Sequence, residues 1–271
     1  MKQRFSVTLA LLAAVTFASI ANSASAQRGA PVRPARTADG KPNLSGIWQA
    51  MNTAHWDLED HSASPSQLFQ TGAVGATPGG QGVVEGGEIP YKPEALARKK
   101  LNFAGRLSLD PEVKCYMPGI PRATYMPFPF QIVQAPGMVL MAYEFASADR
   151  VINMGKPVEA AVDTWMGTAN GRWDGETLIV DNTGFNDGTW FDRAGNFHSD
   201  QLHVVERFTL ADQDHLLYEA TIEDPQTFTR PWKISMPLYR RVEKNAQLVD
   251  FKCVEYAEEL LYGHLRKDPS K

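Results

Sequence analysis

The chain has 271 residues, 43% of them hydrophobic, and a formal net charge of −4 at pH 7. This acidic balance, without any block of like charge, argues against a nucleic-acid partner, which needs a basic surface. The length is sufficient for one all-β domain, or two small ones, with a large buried core.

The first 26 residues have the composition of an export signal. Lys2 and Arg4 give it a positive start, Val7–Ile20 is apolar and uncharged, and a small-x-small cleavage site ends at Ala26. Removing these two positive charges and no acid changes the formal charge from −4 to −6. We therefore expect a periplasmic or secreted protein that begins at Gln27. No later stretch is long and apolar enough to predict a membrane-spanning helix.

The rest of the chain predicts a linker and one domain. Residues 27–41 are rich in Pro and Arg and predict the linker, and residues 42–271 predict a single β-barrel domain with a loop-rich segment at 50–127. Cys115 and Cys253 are its two cysteines, and in an oxidising compartment an even pair predicts a disulfide. A catalytic cysteine is the weaker interpretation, because no His–Asn pattern accompanies either residue.

The predicted elements begin with the Gly-Ile-Trp sequence at Gly46–Trp48, which opens a first strand with Trp48 as a core anchor. The glycine-rich segment Gly72–Gly87 has neither a preceding strand nor a Gly-Lys-Ser/Thr ending, so it predicts a mobile loop rather than a phosphate cradle. Pro93–Leu101 predicts a short helix with Pro in its first turn and basic residues near its end. Asp110 is expected to cap another short turn.

From Phe128 onward, short apolar alternations separated by turn residues predict a series of strands. Ala135–Met138 fits a type II turn, Trp173–Glu176 fits a two-residue type I′ hairpin, and Asp212–Asp214 fits a three-residue turn with a bulge. The remaining predicted elements are strands at Trp232–Leu238 and Val249–Cys253 and a terminal helix at Ala257–Arg266. This order of hairpins predicts a mostly β fold, an antiparallel up-and-down barrel with short peripheral helices.

The chain resembles the lipocalin-like, or calycin-like, barrels in its Gly-Ile-Trp opening and in about eight later strands in hairpin order. The strings Thr164–Gly167, Gly184–Asp187 and His198–Phe208 are also similar to those of a broad group of exported bacterial proteins without assigned chemistry. The resemblance to calycins implies a cavity for a hydrophobic small-molecule ligand. Neither resemblance carries a catalytic residue over to this chain.

Glu206 interrupts the apolar face of the strand that precedes the Asp212–Asp214 turn. The expected register places it beside Tyr218, among Leu, Val and Phe side chains. A carboxylate in such surroundings is either a proton-transfer group or one half of a structural ion pair, for which Arg150 is the internal candidate. The sequence leaves both interpretations open.

As a proton-transfer group, Glu206 would belong to a site on the inner face of the barrel. Tyr and Asn side chains there can hydrogen-bond a carbonyl or a developing oxyanion, and Trp can stack on a flat substrate. The predicted substrate-binding residues are Tyr143, Arg150, Trp165, Asn182, Trp190 and Tyr218. The predicted function is a cofactor-independent lyase or isomerase that dehydrates, hydrates or cyclises a small hydrophobic or aromatic molecule by acid–base catalysis.

Two other functions are compatible with the same fold. A non-catalytic carrier would bind a hydrophobic small molecule in the same cavity. An envelope-associated structural protein would instead have a filled barrel, in which Trp165, Trp232 and Met236 leave no void. The carrier is the leading alternative to the enzyme.

His198 and His203 are second-choice catalytic residues close to the same hairpin. Together with Asp200 and Glu206 they have the side chains of a metal site. On a regular strand His203 and Glu206 point to opposite faces, so we predict no metal and no cofactor. His198 and Asp200 are instead expected to form a rim pair or a His–Asp dyad.

The loop Asn182–Phe197 combines acids, amides and aromatic side chains. Its residue order does not match a calcium-binding EF-hand loop, so we expect a lid over the barrel mouth, or a long structured loop, that brings Trp190 to the ligand. Asp181, just before this loop, stays a candidate catalytic acid or base. A barrel with a cavity can have a polar inner face, and the side chain of Asp181 would then point inward instead of outward.

Overall fold

The computed structural model describes residues 35–66 and 76–265. The predicted export signal at 1–26 and most of the predicted linker lie outside these residues. The strands are β1 Gly46–Ala50, β2 Phe130–Ala135, β3 Met138–Tyr143, β4 Asp149–Asn153, β5 Thr168–Asp174, β6 Thr177–Thr183, β7 His203–Leu210, β8 His215–Glu223 and β9 Trp232–Arg240. The helices are α1 Pro93–Ala104, α2 Arg106–Leu109, α3 Arg122–Tyr125 and α4 Ala257–Tyr262, with 3-10 turns at Pro111–Lys114, Phe145–Ser147 and Gly263–Leu265.

The nine strands of the described chain close into a barrel in sequential order, with β1 paired to both β2 and β9. Neighbouring strands are antiparallel except β4 and β5, which run parallel and share two residue pairs, Ile152 with Ala169 and Asn153 with Asn170. A ring with an odd number of strands cannot alternate direction throughout, so one parallel pair is required. The predicted mostly β, mostly antiparallel barrel is confirmed, and its up-and-down alternation is interrupted at this pair.

The core fills the inside of the barrel because inward apolar side chains alternate with outward polar ones along the strands. Trp48, the predicted anchor, is fully buried, and its indole N–H donates to the Leu44 carbonyl at 2.9 Å. The apolar side chains that alternate along β2, β3 and β9 are all buried. They are Phe130, Ile132, Val139, Met141, Tyr143, Trp232, Ile234, Met236 and Leu238.

Two predicted strand features are shifted or wrong. The β5–β6 hairpin turns at Gly175–Glu176, one residue later than the predicted centre, and Gly175 has the positive φ of 59° that favours glycine. Val249–Cys253 is not a strand, since the chain there has no strand pairing. The last strand is β9, and because β9 pairs with both β8 and β1, it offers no free edge to a further strand.

Short helices surround the barrel, as predicted. α1 begins at the predicted proline but continues to Ala104, and the Asp110 carboxylate accepts the Glu112 N–H at the start of the next 3-10 turn. α4 begins at the predicted Ala257 and ends at Tyr262. None of the helices in the described part of the chain is long and apolar enough to cross a membrane.

The loop-rich segment before β2 is held by strand-like contacts and by a disulfide. Gly80, in the described part of the glycine-rich segment, pairs with His61 through backbone hydrogen bonds of 2.9 and 3.1 Å. Residues 67–75, which include the start of that segment, lie outside the described residues. The predicted disulfide is confirmed: the Cα atoms of Cys115 and Cys253 lie 5.7 Å apart, at a sequence separation of 138.

Candidate functional site

Glu206 of β7 is fully buried and pairs with Arg150 of β4 inside the barrel. Arg150 Nη1 lies 2.6 Å from Glu206 Oε2, and Nη2 lies 3.1 Å from Oε1, so the pair is bidentate. Both side chains point inward because burial alternates along β4 and β7. The structural interpretation of Glu206, an ion pair with Arg150, is confirmed.

Two neighbouring side chains complete the hydrogen bonding of the Glu206 carboxylate. Asn182 donates through Nδ2 to Glu206 Oε2 at 3.0 Å, and its Oδ1 accepts from Arg150 Nη1 at 3.0 Å. The Tyr218 hydroxyl donates to Glu206 Oε1 at 2.8 Å. Burial and the negative charge of Glu206 both raise the pKa of Tyr218 well above its usual value, so the hydroxyl keeps the proton that it donates.

This bonding pattern describes an ionised Glu206 carboxylate that acts as a counter-ion. Four N–H or O–H groups donate to it, and a protonated acid would have to give up one of them. Burial opposes the charge of Arg150, but the Glu206 carboxylate raises the pKa of the guanidinium above its usual value. The Tyr143 ring lies 5.9 Å from the guanidinium carbon, so three of the predicted inner-face residues, Tyr143, Asn182 and Tyr218, meet around Arg150 and Glu206.

A groove of about 510 Å³ lies in the barrel wall beside this network, where β4 meets β5. These strands share two residue pairs, and the chain that precedes Ile152 and Ala169 is not paired across the seam. Arg150 is part of the groove lining, and its Nε is buried with no hydrogen-bond partner among the described residues. The apolar lining residues are Met117, Val151, Val158, Trp165, Met166 and Ala169.

Solvent reaches several of the apolar side chains that line the groove. Met117, Val151 and Val158 are 40%, 50% and 52% exposed. The Trp165 ring packs against Tyr116, with ring centroids 4.8 Å apart. Exposed apolar residues grouped around a concave site are typical of a ligand-binding groove.

His203 and Asp181 lie on the outer face of the barrel, away from the buried network. His203 Nε2 is 3.2 Å from Asp181 Oδ1, and its Nδ1 is 3.7 Å from Glu223 Oε2. The His203 and Asp181 side chains are 36% and 41% exposed. The predicted placement of His203 and Glu206 on opposite faces is confirmed, and Asp181 does not join Glu206.

His198 is buried against two phenylalanine rings. Its Nδ1 donates to the Ser199 carbonyl at 2.8 Å, which leaves Nε2 as the acceptor of the Thr189 hydroxyl at 2.6 Å. Burial lowers the pKa of His198, so the folded protein holds a neutral ring. The expected pair with Asp200 is wrong, because both ring nitrogens have other partners.

The loop after β6 is a long structured loop. Trp190 and Phe197 form an isolated strand-like bridge, and both pack against Ala95 of α1. Asp192 is fully buried and accepts N–H groups from neighbouring residues and from Leu58. Trp190 is not part of the groove lining at β4–β5, so the predicted ligand contact of Trp190 is not made there.

Sequence reasoning missed a second buried ion network. Arg122 donates to Asp110 at 2.9 and 3.1 Å and to Glu112 at 2.7 Å, and Arg193 donates to Glu112 at 2.7 and 2.8 Å. His55 Nε2 lies 3.3 Å from the same glutamate. Burial alone would raise the pKa of Glu112, but its cationic neighbours hold that pKa well below the usual range. These residues come from loops and from helical turns of four residues, which set no period, so only the cap at Asp110 was visible in the sequence.

Within residues 35–66 and 76–265, no group of three or more His, Cys, Asp or Glu side chains is placed to hold a metal ion. The closed nine-stranded barrel is consistent with the calycin-like class of folds. Comparisons of the chain with family models, with curated proteins and with solved structures gave no match. The function is therefore inferred from the groove and the buried network alone.

Proposed function

We propose that the protein is a carrier that binds a small hydrophobic molecule in the groove between β4 and β5. The observation that supports this is the group of exposed apolar side chains around an opening of about 510 Å³, a volume that suits a small organic ligand. Trp165 offers a ring face for stacking, and Met117 and Met166 are flexible side chains that adapt to ligand shape. These features favour a flat, largely apolar ligand.

The polar groups of the groove suit a ligand with one or two hydrogen-bonding atoms. Asn153, Thr164 and Thr168 line the groove beside its apolar residues. The buried Nε of Arg150 is a donor without a protein partner, and leaving such a donor unpaired costs about 1–3 kcal/mol. A carbonyl or hydroxyl oxygen of the ligand that reached Arg150 would remove this cost.

A carrier fits the buried network better than acid–base catalysis does. Proton transfer requires a carboxylate oxygen within hydrogen-bonding reach of the substrate. Both oxygens of Glu206 are already occupied by Arg150, Asn182 and Tyr218, and the side chain has no exposed surface. The carboxylate therefore serves to hold Arg150 in the barrel wall.

The carrier proposal is tested by placing a charged side chain in the groove. Val151→Lys places an ammonium group among the groove side chains, and Val133→Lys is the matched control, since Val133 is 41% exposed on the outer face of β2. The neutral dye N-phenyl-1-naphthylamine serves as a fluorescent probe. We expect Val151→Lys to raise the Kd at least about tenfold, because binding would then desolvate a charge. Equal affinities for the two variants would contradict the proposal.

A lyase or isomerase is the second proposed function. It is supported by Arg150, which lines the groove and also pairs with Glu206. Native mass spectrometry of protein from its own host, repeated after denaturation, identifies a bound molecule. That molecule is then incubated with wild-type protein and with Glu206→Gln. Turnover by the wild type alone supports an enzyme, whereas binding without product by both proteins supports a carrier.

We also propose that the carrier is exported. The predicted signal at 1–26 lies outside the described residues, and the disulfide between Cys115 and Cys253 is the structural feature that supports an oxidising compartment. Intact mass spectrometry of the protein from its host should give a chain that begins at Gln27. A chain that retains Met1 would contradict export through this signal.

A further inference from the structure

Two charged side chains, Asp149 and Arg150, belong to the lining of the groove between β4 and β5, and their surroundings differ. Arg150 is buried, and its bidentate contact with Glu206, at 2.6 and 3.1 Å, matches its positive charge. Asp149 is exposed on the outer face of β4. Within the described residues, no ion pair or hydrogen bond engages its carboxylate. The charge that the groove lining offers to a ligand is therefore negative.

Negative charge also prevails in the segments that frame the groove, residues 115–118, 149–169 and 186–189. The last segment belongs to this frame because Gly188 approaches the Trp165 ring so closely that a Cβ atom there would lie 2.8 Å from it. The exposed acids of the three segments are Asp149, Glu159, Asp163 and Asp187. Apart from the paired Arg150, the bases are Lys156 within the segments and Lys114 and Arg172 just beyond them. Acids outnumber bases within the frame, so the mouth of the groove attracts cations and repels anions.

The aromatic and sulfur-containing residues of the lining suit an organic cation as well as a neutral ring. The face of an indole such as that of Trp165 attracts a positive group placed within about 6 Å of the ring centroid. Met117 and Met166 add polarizable thioethers that adapt to the shape of a ligand. A flat molecule with one ammonium group could therefore pack its apolar body against these residues and place its charge near Asp149.

We propose that the groove selects a flat organic cation and that Asp149 recognises its ammonium group. The inference rests on the proposed carrier function and adds the charge of the ligand to it. An anion is the less suitable occupant, because the charge of Arg150 is already matched by Glu206 and Asp149 would repel a second negative group. A neutral ligand would use the same apolar lining but would leave the Asp149 carboxylate without a partner.

The proposal is tested with probes that share a naphthyl ring and differ in charge: 1-naphthylmethylammonium, 1-naphthylmethanol and 1-naphthylacetate. Each probe is titrated against the purified protein with bound N-phenyl-1-naphthylamine, and the loss of dye fluorescence gives the Kd of the probe. The variant is Asp149→Asn, which keeps the shape of the side chain and removes its charge. The matched control is Asp174→Asn, which changes the net charge equally, because the Asp174 side chain is 66% exposed on β5 but does not line the groove.

We expect Asp149→Asn to raise the Kd of the ammonium probe at least about threefold, to change that of the alcohol less than about twofold and to lower that of the carboxylate. Asp174→Asn should leave all of these values within about twofold of the wild type, and added salt should weaken binding of the ammonium probe.

Two results would overturn the cation assignment and leave the carrier proposal intact. One is an equal effect of Asp149→Asn on the three probes, and the other is tighter binding of the carboxylate than of the ammonium probe by the wild type. Failure of the dye and of every probe to bind the wild type would instead overturn both proposals.

Discussion

Arg150 and Glu206 carry opposite charges and are both buried in the barrel. The cost of removing both groups from water offsets much of their attraction, so the intact pair adds little stability compared with two apolar side chains. Loss of one partner is different, because it leaves the other charge buried and uncompensated. Asn182 and Tyr218 would then be the remaining polar contacts of Glu206.

Arg150→Met should lower the free energy of unfolding by about 3–5 kcal/mol, because Glu206 is left without a counter-ion. The double variant Arg150→Met/Glu206→Leu should recover a large part of this loss, since no charge then remains buried. Arg207→Met is the control: Arg207 is exposed, its ion pairs measure 3.7 and 3.8 Å, and a change within about 0.5 kcal/mol is expected. Urea unfolding measures the free energy of unfolding of all three variants. Equal losses of stability for Arg150→Met and for the double variant would contradict this account.

His198 should make folding sensitive to mild acid. Its pKa is lowered by burial, whereas the unfolded chain has the ordinary value of 6.5. As the pH falls below 6.5, the unfolded chain binds a proton that the folded chain does not, so the free energy of unfolding decreases.

The matched variant for this pH dependence is His198→Asn, which keeps an N–H near the position of Nδ1 but cannot titrate. Urea unfolding at pH 7 and at pH 5 should show a smaller loss of stability for His198→Asn than for the wild type. Other groups, including the buried His55, contribute equally to both proteins and cancel in the comparison. An identical loss in both proteins would show that His198 does not titrate in this range.

At the residue scale, a position is predictable from the sequence when it breaks a regular pattern. Glu206 was identified because one carboxylate interrupts an apolar alternation, and Arg150 was named as its internal partner. Glu112 and Arg122 also form an ion network, but they lie in a 3-10 turn and a four-residue helix, which are too short for a period to set an inward side. Their burial is decided by tertiary packing, which local pattern does not encode.

The seam between β4 and β5 is the weak point of the barrel at the scale of elements. The pair shares two residue pairs, whereas β7 and β8 share eight. Fewer ladder hydrogen bonds mean a lower free energy of local opening. The same short pairing leaves the space that forms the groove. The local opening of the seam and the proposed binding site therefore have the same cause.

Hydrogen exchange should therefore be faster at the seam than in the long hairpins. We expect the amide of Val151, which lies beyond the two pairs that β4 shares with β5, to exchange before those of Val205 and Thr221 at the centre of the β7–β8 ladder. A saturating concentration of N-phenyl-1-naphthylamine should slow exchange at the seam alone. Uniform protection around the barrel would contradict the link between short pairing and the groove.

The elements that the sequence predicted well are those joined by tight turns. Period-2 alternation and turn residues identify both strands of a hairpin together, as in β2–β3 and β7–β8. The parallel pair was missed because its strands are joined by residues 154–167, and nothing local marks a parallel partner. Val249–Cys253 alternates like a strand, but the prediction of a strand there was wrong, because a closed barrel has no free edge for a further strand.

At the scale of the whole molecule, the barrel closes through β1 and β9, and the disulfide joins two segments that lie outside it. The cross-link encloses a loop of 138 residues that contains β2 to β9, so it restricts the unfolded chain strongly. It also ties α4 to the segment that carries α1 and α2. The disulfide therefore affects both the stability of the fold and the position of α4.

Cys115→Ser/Cys253→Ser should lower the free energy of unfolding by about 2–5 kcal/mol, as measured by urea unfolding. In the native state, the chain after β9 would be retained by contacts such as the Val249 N–H, which donates to the Glu144 carboxylate at 3.0 Å. Limited proteolysis should then cut residues 241–265 first and leave the barrel intact. Simultaneous loss of the barrel would show that the disulfide supports the core itself.

The same double serine variant tests whether the groove depends on the disulfide. The groove is built by β4, β5 and neighbouring loop residues, one of which, Met117, is close in sequence to Cys115. Binding of N-phenyl-1-naphthylamine should change less than about threefold, since Trp165 and Val151 are positioned by the strands. A larger loss of dye binding would mean that the groove depends on the loop segment that carries Met117.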